Sequence, residues 1–205
     1  MIIKAIAIGA YESNTYLVMD EETKEGFVVD NGGEVNKVIA AIEDMEMNPR
    51  AILLTHGHFD HVSGVDELRN ILKVPVYMHK NDWDMIENKV EIFGEMSKPE
   101  FFVDEKSKIA IGNKLIEVIE TPGHTPGGIC FLVDRHLITG DTLFKGTIGR
   151  SDFKGGDGPL LIASVKNKLA TLDESTMVYP GHGPSTTIGL EKMTNPYMVG
   201  ADHVY

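Results

Sequence analysis

Basic side chains are scarce: 19 Lys and Arg stand against 31 Asp and Glu, a net charge of -12. Nucleic-acid and anionic-membrane binders need a basic face, so neither class of partner is expected. Cysteine occurs once, at Cys130, which excludes an intramolecular disulfide and is compatible with a reducing compartment. No apolar run approaches the length of a membrane span. The apolar opening, Met1 to Ala10, is too short and too weakly basic for a secretory segment, and no small-residue cleavage site follows. The expectation is a soluble, cytoplasmic protein. The G-x-S-x-G, C-x-x-C and phosphate-loop patterns are also missing, so no side-chain nucleophile or nucleotide site is signposted. Oligomeric state leaves no trace.

What is present is an ordinary globular balance, 42% apolar and 24% charged over 205 residues. Short runs rich in Ile, Val, Tyr and Thr predict strands at 2–9, 14–19 and 26–29, the last ending in the turn cluster Asp30-Asn31-Gly32-Gly33. Val35, Val38, Ile39, Ile42 and Met45 make an apolar stripe, which predicts a helix over about 34–47, stopped by Pro49. A strand at 51–54 and a helix at about 63–72 follow, then a strand at 74–78 and a helix through Ile86 capped by Asn81-Asp82. Residues 87–105 resist a reading and are expected to form a lid or surface loop. Strands at 108–111, 114–119, 128–133, 136–139 and 177–179 follow, with helices at about 159–172 and 188–193. Residues 1–205 are read as one domain of two related halves, about 1–110 and 111–205, each running strands, loop, then helix.

One stretch organises the rest: Thr55-His56-Gly57-His58-Phe59-Asp60-His61, directly after the apolar run Ala51 to Leu54. Period two at a strand end lets His56 and His58 point the same way and share one ion. Asp60 and His61 enter the turn before a helical pattern and are placed to face a second ion. Three further candidates, each beside a glycine, lie downstream: His124, Asp141 and His182. Every one of these candidates follows a predicted strand, where alternating α/β sheets place their sites. Two sheets packed face to face, with helices outside and metals at one edge, are therefore expected. Imidazole and carboxylate donors without thiolate suit zinc, iron or manganese, and donor type alone does not choose among them. The competing reading is a histidine-rich loop without metal.

The set His56, His58, Asp60, His61, His124, Asp141 and His182 resembles the metallo-β-lactamase superfamily over nearly the whole chain. That resemblance implies an αβ/βα four-layer sandwich, two mixed sheets face to face with helices outside. Within the superfamily the chain looks like the glyoxalase II-type hydrolases, especially their short bacterial branch. The stretches that carry this are Gly140-Asp141-Thr142-Leu143-Phe144, Gly146 through Phe153, and Tyr179 through Thr186. The resemblance implies His56, His58 and His124 on one divalent ion and Asp60, His61 and His182 on the other. Asp141 would bridge them, with two ions per chain, zinc foremost. It also implies that a metal-bridging hydroxide hydrolyses a small thioester, such as the glutathione thioester S-lactoylglutathione, with Asp60 aiding proton transfer.

Two departures bear on the substrate. β-Lactamases of the superfamily commonly replace the last motif histidine and use a late cysteine ligand; here His61 is present and Cys130 sits in an apolar strand, which disfavours β-lactams. Glyoxalase II proper carries a C-terminal helical substrate extension, whereas this chain runs only 23 residues past His182. Arg150 falls where glyoxalase II has a basic substrate contact and is the anion-binding candidate, the alternative being a solvated loop arginine. Asp30 is a candidate to orient a ligand histidine through its second ring nitrogen. His79, His136 and His203 are read as surface or turn residues, Cys130 as a small buried apolar group, and Lys145 and Lys154 as solvated. The runner-up reading is a persulfide dioxygenase with one iron on His56, His124 and Asp141; a third is a metal-binding partner protein without turnover.

Overall fold

The computed structural model describes residues 1–199. The first sheet has the order β1 (Ile2–Ile8), β2 (Ser13–Met19), β3 (Glu25–Val29), β4 (Asn48–Leu53), β5 (Val76–Met78) and β6 (Phe101–Phe102). Its first pairings are antiparallel, and from β3 to β6 they are parallel. The second sheet is built from β7 (Ile109–Ile111), β8 (Lys114–Glu120), β9 (Ile129–Val133), β10 (His136–Gly140), β13 (Met177–Pro180) and β14 (Thr186–Thr187). Only its β10–β13 pair is parallel. A small hairpin, β11 (Leu143–Phe144) with β12 (Thr147–Ile148), stands apart.

Side-chain alternation along the strands sets the four layers. Tyr16, Val18, Phe27, Val29, Ala51 and Leu53 meet Ile116, Val118, Ile129, Phe131 and Ile138 between the two sheets. The alternate residues Leu17, Met19, Val28, Ile52 and Leu54 face outward, against α1 (Val35–Asp44), α3 (Val65–Leu72) and α4 (Lys80–Glu87). On the far side Ile119, Cys130 and Leu137 pack under α5 (Gly158–Asn167) and α6 (Ile188–Thr194). This is the expected αβ/βα sandwich. Among the described residues no helix is long and apolar enough to cross a membrane.

Several boundaries differ from the sequence expectation, each for a local reason. α1 ends at Asp44 because Glu46 turns left-handed (φ 52°) and the Met47 and Glu46 amides close back on Ile42 and Glu43. That is a Schellman-type stop, made here without glycine. β4 therefore starts at Asn48 and carries Pro49, beside a register shift opposite Gly26 and Phe27. The helix expected at about 63–72 is α3, which begins at Val65, and a separate short helix α2 (Phe59–Val62) precedes it, since the turn after β3 docks between them. Asn31 accepts from the Gly64 amide at 2.9 Å and donates to the His61 carbonyl at 2.7 Å. α4 is capped by the His79 side chain accepting from the Asn81 amide, not by Asn81-Asp82. α5 stops at Asn167 and gives way to a 3-10 turn at Leu169–Thr171. Residues 88–100 hold no regular element, yet Phe93 is buried in the first core and β6 pairs with β5. Residues 87–105 thus form a largely exposed surface segment, as expected, pinned at the buried Phe93, Gly94, Pro99 and Val103 and by the β6–β5 pairing.

Candidate metal centre

Strand ends deliver the candidate ligands to one edge. Asp30 follows β3, Thr55 to His58 follow β4, and α2 carries Asp60 and His61. His124 lies in the loop after β8, while Asp141 and His182 come directly after β10 and β13. Backbone bonds lace the sheets together here: the Ile129 amide donates to the Thr55 carbonyl at 2.9 Å, and the Asn14 amide to the Gly181 carbonyl at 2.7 Å. The Gly181 amide donates to the Gly140 carbonyl at 2.7 Å, which draws Asp141 toward His182. Position 181 must be glycine, since a Cβ there would overlap Asp141 Oδ1 and His61 Cε1.

Two triads result. His56, His58 and His124 each offer a ring nitrogen, all within 4.8 Å of one another, and Asp60, His61 and His182 form a second such group. His58 Nδ1 and His124 Nε2 are 3.0 Å apart. Asp60 Oδ2 lies 3.2 Å from His182 Nε2 and 3.8 Å from His61 Nε2. Asp141 stands between the triads: Oδ1 is 3.4 Å from His61 Nε2, and Oδ2 is 3.6 Å from the Nε2 atoms of both His124 and His182. All seven candidate ligands converge.

The donors fit divalent cations. His56 Nε2 and Asp141 Oδ1 are buried without a hydrogen-bond partner, an arrangement that costs free energy unless another group meets those atoms. Burial, aided by neighbouring imidazoles, holds His56 below its ordinary range and pushes His58 down to about 3. Burial likewise lowers His124, so this triad is neutral, the form that ligates metal. In the other triad burial opposes charge but loses. Asp141 and Asp30 hold His61 well above the imidazole range, and His61, His124 and His182 hold Asp141 well below the carboxylate range. Asp60 and Asp141 together make a place for positive charge.

Asp30 is where a bracing residue was expected. Its Oδ2 accepts from His61 Nδ1–H at 2.9 Å and from the Thr55 hydroxyl at 2.7 Å, while Oδ1 accepts from the Thr55 amide at 2.8 Å. Thr55 Oγ1 in turn accepts from His56 Nδ1–H at 3.0 Å. Asp30 also lies within 4.8 Å of ring nitrogens of His56 and His61, but both its oxygens are already engaged. These bonds keep a proton on Nδ1 of both His56 and His61, so that in the neutral ring each takes when it ligates a cation the Nε2 lone pair faces the cluster.

Arg150 lies on the rim of a cavity of about 560 Å³ that opens over both triads and is walled by Tyr11, Phe59, Ile92, Phe144 and Phe153. Its guanidinium is gripped by Asp152, with Nε–Oδ1 2.8 Å and Nη2–Oδ2 2.7 Å, and sits 3.7 Å from the Phe153 ring centroid. Its backbone does something sequence reasoning missed: the Arg150 carbonyl accepts from His124 Nδ1–H at 2.7 Å. The Tyr11 carbonyl serves His182 Nδ1 in the same way at 3.0 Å. No sequence signal marks a carbonyl contact. Phe93, in the unreadable stretch, stacks edge-on to His58 at 4.9 Å. Asp82, read as a cap, is fully buried between two ligand loops.

The remaining residues are placed as follows. His79 is not a bare surface residue: it caps α4 and lies 3.3 Å from Glu120. His136 opens β10, with Nδ1 3.0 Å from the Tyr179 hydroxyl. His203 lies outside the described residues. Cys130 is buried and its thiol is pushed up to about 11 by burial, while Lys145 and Lys154 are exposed.

Two mixed sheets face to face, with imidazoles and carboxylates clustered at one edge, define a metal-dependent hydrolase of the αβ/βα class. The chain belongs to the metallo-beta-lactamase superfamily, whose model matches residues 8–182. It is 35% identical over 209 residues to hydroxyacylglutathione hydrolase GloC of Haemophilus influenzae, covering 97% of this chain and 98% of that one. Among solved structures it is similar to the BLEG-1 B3 metallo-beta-lactamase, with TM-score 0.87, 34% identity and coverage of 97% and 100% of the two chains. It is also similar to TTHA1623 in a di-iron-bound form, with TM-score 0.84, 36% identity and coverage of 95% and 99%.

Proposed function

We propose that this chain is a binuclear hydrolase of small thioesters, with a glutathione thioester such as S-lactoylglutathione as its substrate. The observation that carries the reading is the position of Asp141, within 3.6 Å of a ligand nitrogen from each triad. His56, His58 and His124 would hold one ion, Asp60, His61 and His182 the other, and Asp141 both. Zinc is the first choice; the donor set also accepts iron or manganese. Such ions supply Lewis acidity and lower the pKa of a bound water to about 7.

The chain's own residues do the rest. Asp60, whose Oδ2 lies beside both His182 and His61, is the carboxylate suited to take the proton of the attacking water. The rim aromatics cover the acyl group and limit bulk water. Arg150, half exposed at the rim, is the candidate for a substrate carboxylate, which would have to compete with Asp152 for it. The GloC relative supports the glutathione thioester.

The test is hydrolysis of S-lactoylglutathione by zinc-loaded protein beside its Asp141→Ala variant. Turnover that disappears in the variant is expected. No turnover with this or other small thioesters would remove the assigned substrate class, and cleavage of a β-lactam in its place would redirect it. Oxygen uptake with glutathione persulfide by protein holding a single iron would instead establish the dioxygenase reading. Metal binding with no turnover at all would leave a binding protein.

A further inference from the structure

Asp82 belongs to no ligand motif, yet it is fully buried in the first turn of α4. Its Oδ2 accepts from the Gly57 amide at 2.8 Å and its Oδ1 from the Gly127 amide at 2.6 Å. Gly57 separates His56 from His58, and Gly127 closes the loop that carries His124. One carboxylate therefore ties a ligand loop of the first sheet to a ligand loop of the second. The approach leaves no slack: a Cβ at Gly127 would come within 2.6 Å of the Asp82 backbone nitrogen, and one at Gly57 within 2.9 Å of the Phe93 ring.

Capping does not explain this residue, since His79 already caps α4. Nor does an ion pair: among the described residues no cationic side chain lies within ion-pair distance of Asp82. Burial pushes its carboxyl up to about 6. Two peptide donors, with the Thr125 hydroxyl and His79 beside them, hold a buried carboxylate that is still a costly brace, and what it braces is one triad. The other triad has its own support in Asp30.

We propose that Asp82 is a positioning residue for the His56–His58–His124 site, clamping the Gly57 and Gly127 amides so that the ligands from the two sheets stay in register. The Asp60–His61–His182 site does not depend on it. The proposal rests on the two-ion reading above.

The probe is zinc, titrated into metal-stripped full-length protein, with cobalt(II) absorption reporting coordination. His58→Ala and His182→Ala, each lacking a donor of one triad, assign the two binding phases. Asp82→Asn keeps the volume and one acceptor, but its NH2 group opposes the second peptide N–H. Wild type is expected to bind two zinc ions. Asp82→Asn should weaken the phase assigned to His58 about 10–100-fold, the range found for partners of metal ligands, and leave the other phase unchanged. The cobalt spectrum should lose the component that His58→Ala removes. Trp83, the single tryptophan and the next residue along, reports by its emission that the variant is folded. If Asp82→Asn fails to fold, Gly127→Ala breaks the same clamp from the other side and carries the same expectation. Unchanged binding of both ions, or equal weakening of both in folded protein, overturns the inference and leaves the hydrolase reading standing. Wild type that binds no zinc removes the two-ion reading itself.

Discussion

Replacing Asp30 by asparagine probes how the histidines are aimed. Asp30 sits at φ 55°, a left-handed conformation that asparagine tolerates, so the variant adds little backbone strain. The amide oxygen still accepts from one donor, but the NH2 group now faces either His61 Nδ1–H or Thr55. His61 is then driven toward the tautomer with its proton on Nε2, aimed at Asp60 and Asp141 instead of a cation. Losing one hydrogen bond to a charged group costs about 1.5–3 kcal/mol of stability in the metal-free protein. Loss of a metal ligand's partner weakens the ion by about 10–100-fold, or about 1.4–2.7 kcal/mol. Unlike Asp82→Asn, this change should reach both sites, His61 directly and His56 through Thr55. Urea unfolding of stripped protein and a zinc titration measure the two effects. Zinc affinities within twofold of wild type at both sites would refute the bracing argument.

Gly181→Ala should leave the strands in place yet drop zinc below one ion per chain, because the new methyl overlaps Asp141 and His61; metal analysis of the purified variant checks it. Arg150→Ala should raise KM for a glutathione thioester about tenfold with kcat and metal content preserved, since the carbonyl bond to His124 survives; unchanged KM would return Arg150 to a loop residue held by Asp152. Phe93→Ala should cost about 3–5 kcal/mol in urea unfolding, as for other buried aromatics. The metal-free protein should lose stability as pH falls from about 6.5 toward about 3 on account of His58, whose folded value lies below its unfolded one, so the unfolded chain takes up the proton first. His61 works in the opposite sense, its contribution present below about 6.5 and lost as pH rises through its higher folded value. The His58 effect is therefore read as a difference between wild type and His58→Asn, which should show the shallower acid slope.

The layers were legible because strand alternation and helix stripes report burial directly: Leu17 and Met19 against Tyr16 and Val18, or Val35, Val38 and Ile42 along α1. The candidate ligands were legible because so many imidazoles after strand ends have few other uses. Boundaries set by tertiary contacts were not. Asn31 bonding to Gly64 separates α3 from the short α2 although the apolar pattern runs on, and Glu46 ends α1 in a conformation that sequence assigns to glycine. Asp82 was misread for the same reason: Asn81-Asp82 before an apolar stretch fits a cap, and only the packed fold shows His79 doing that work while Asp82 turns inward. Phe93 lay in a segment with no period at all, its burial decided by the loop that carries His58.

The most direct test of the account is the number of zinc ions held per folded chain, by elemental analysis against protein concentration after loading and desalting. Two ions per chain, falling when Asp141 is replaced by alanine, are predicted. A chain that stays folded and holds none, or holds a single ion indifferent to Asp141, would contradict it.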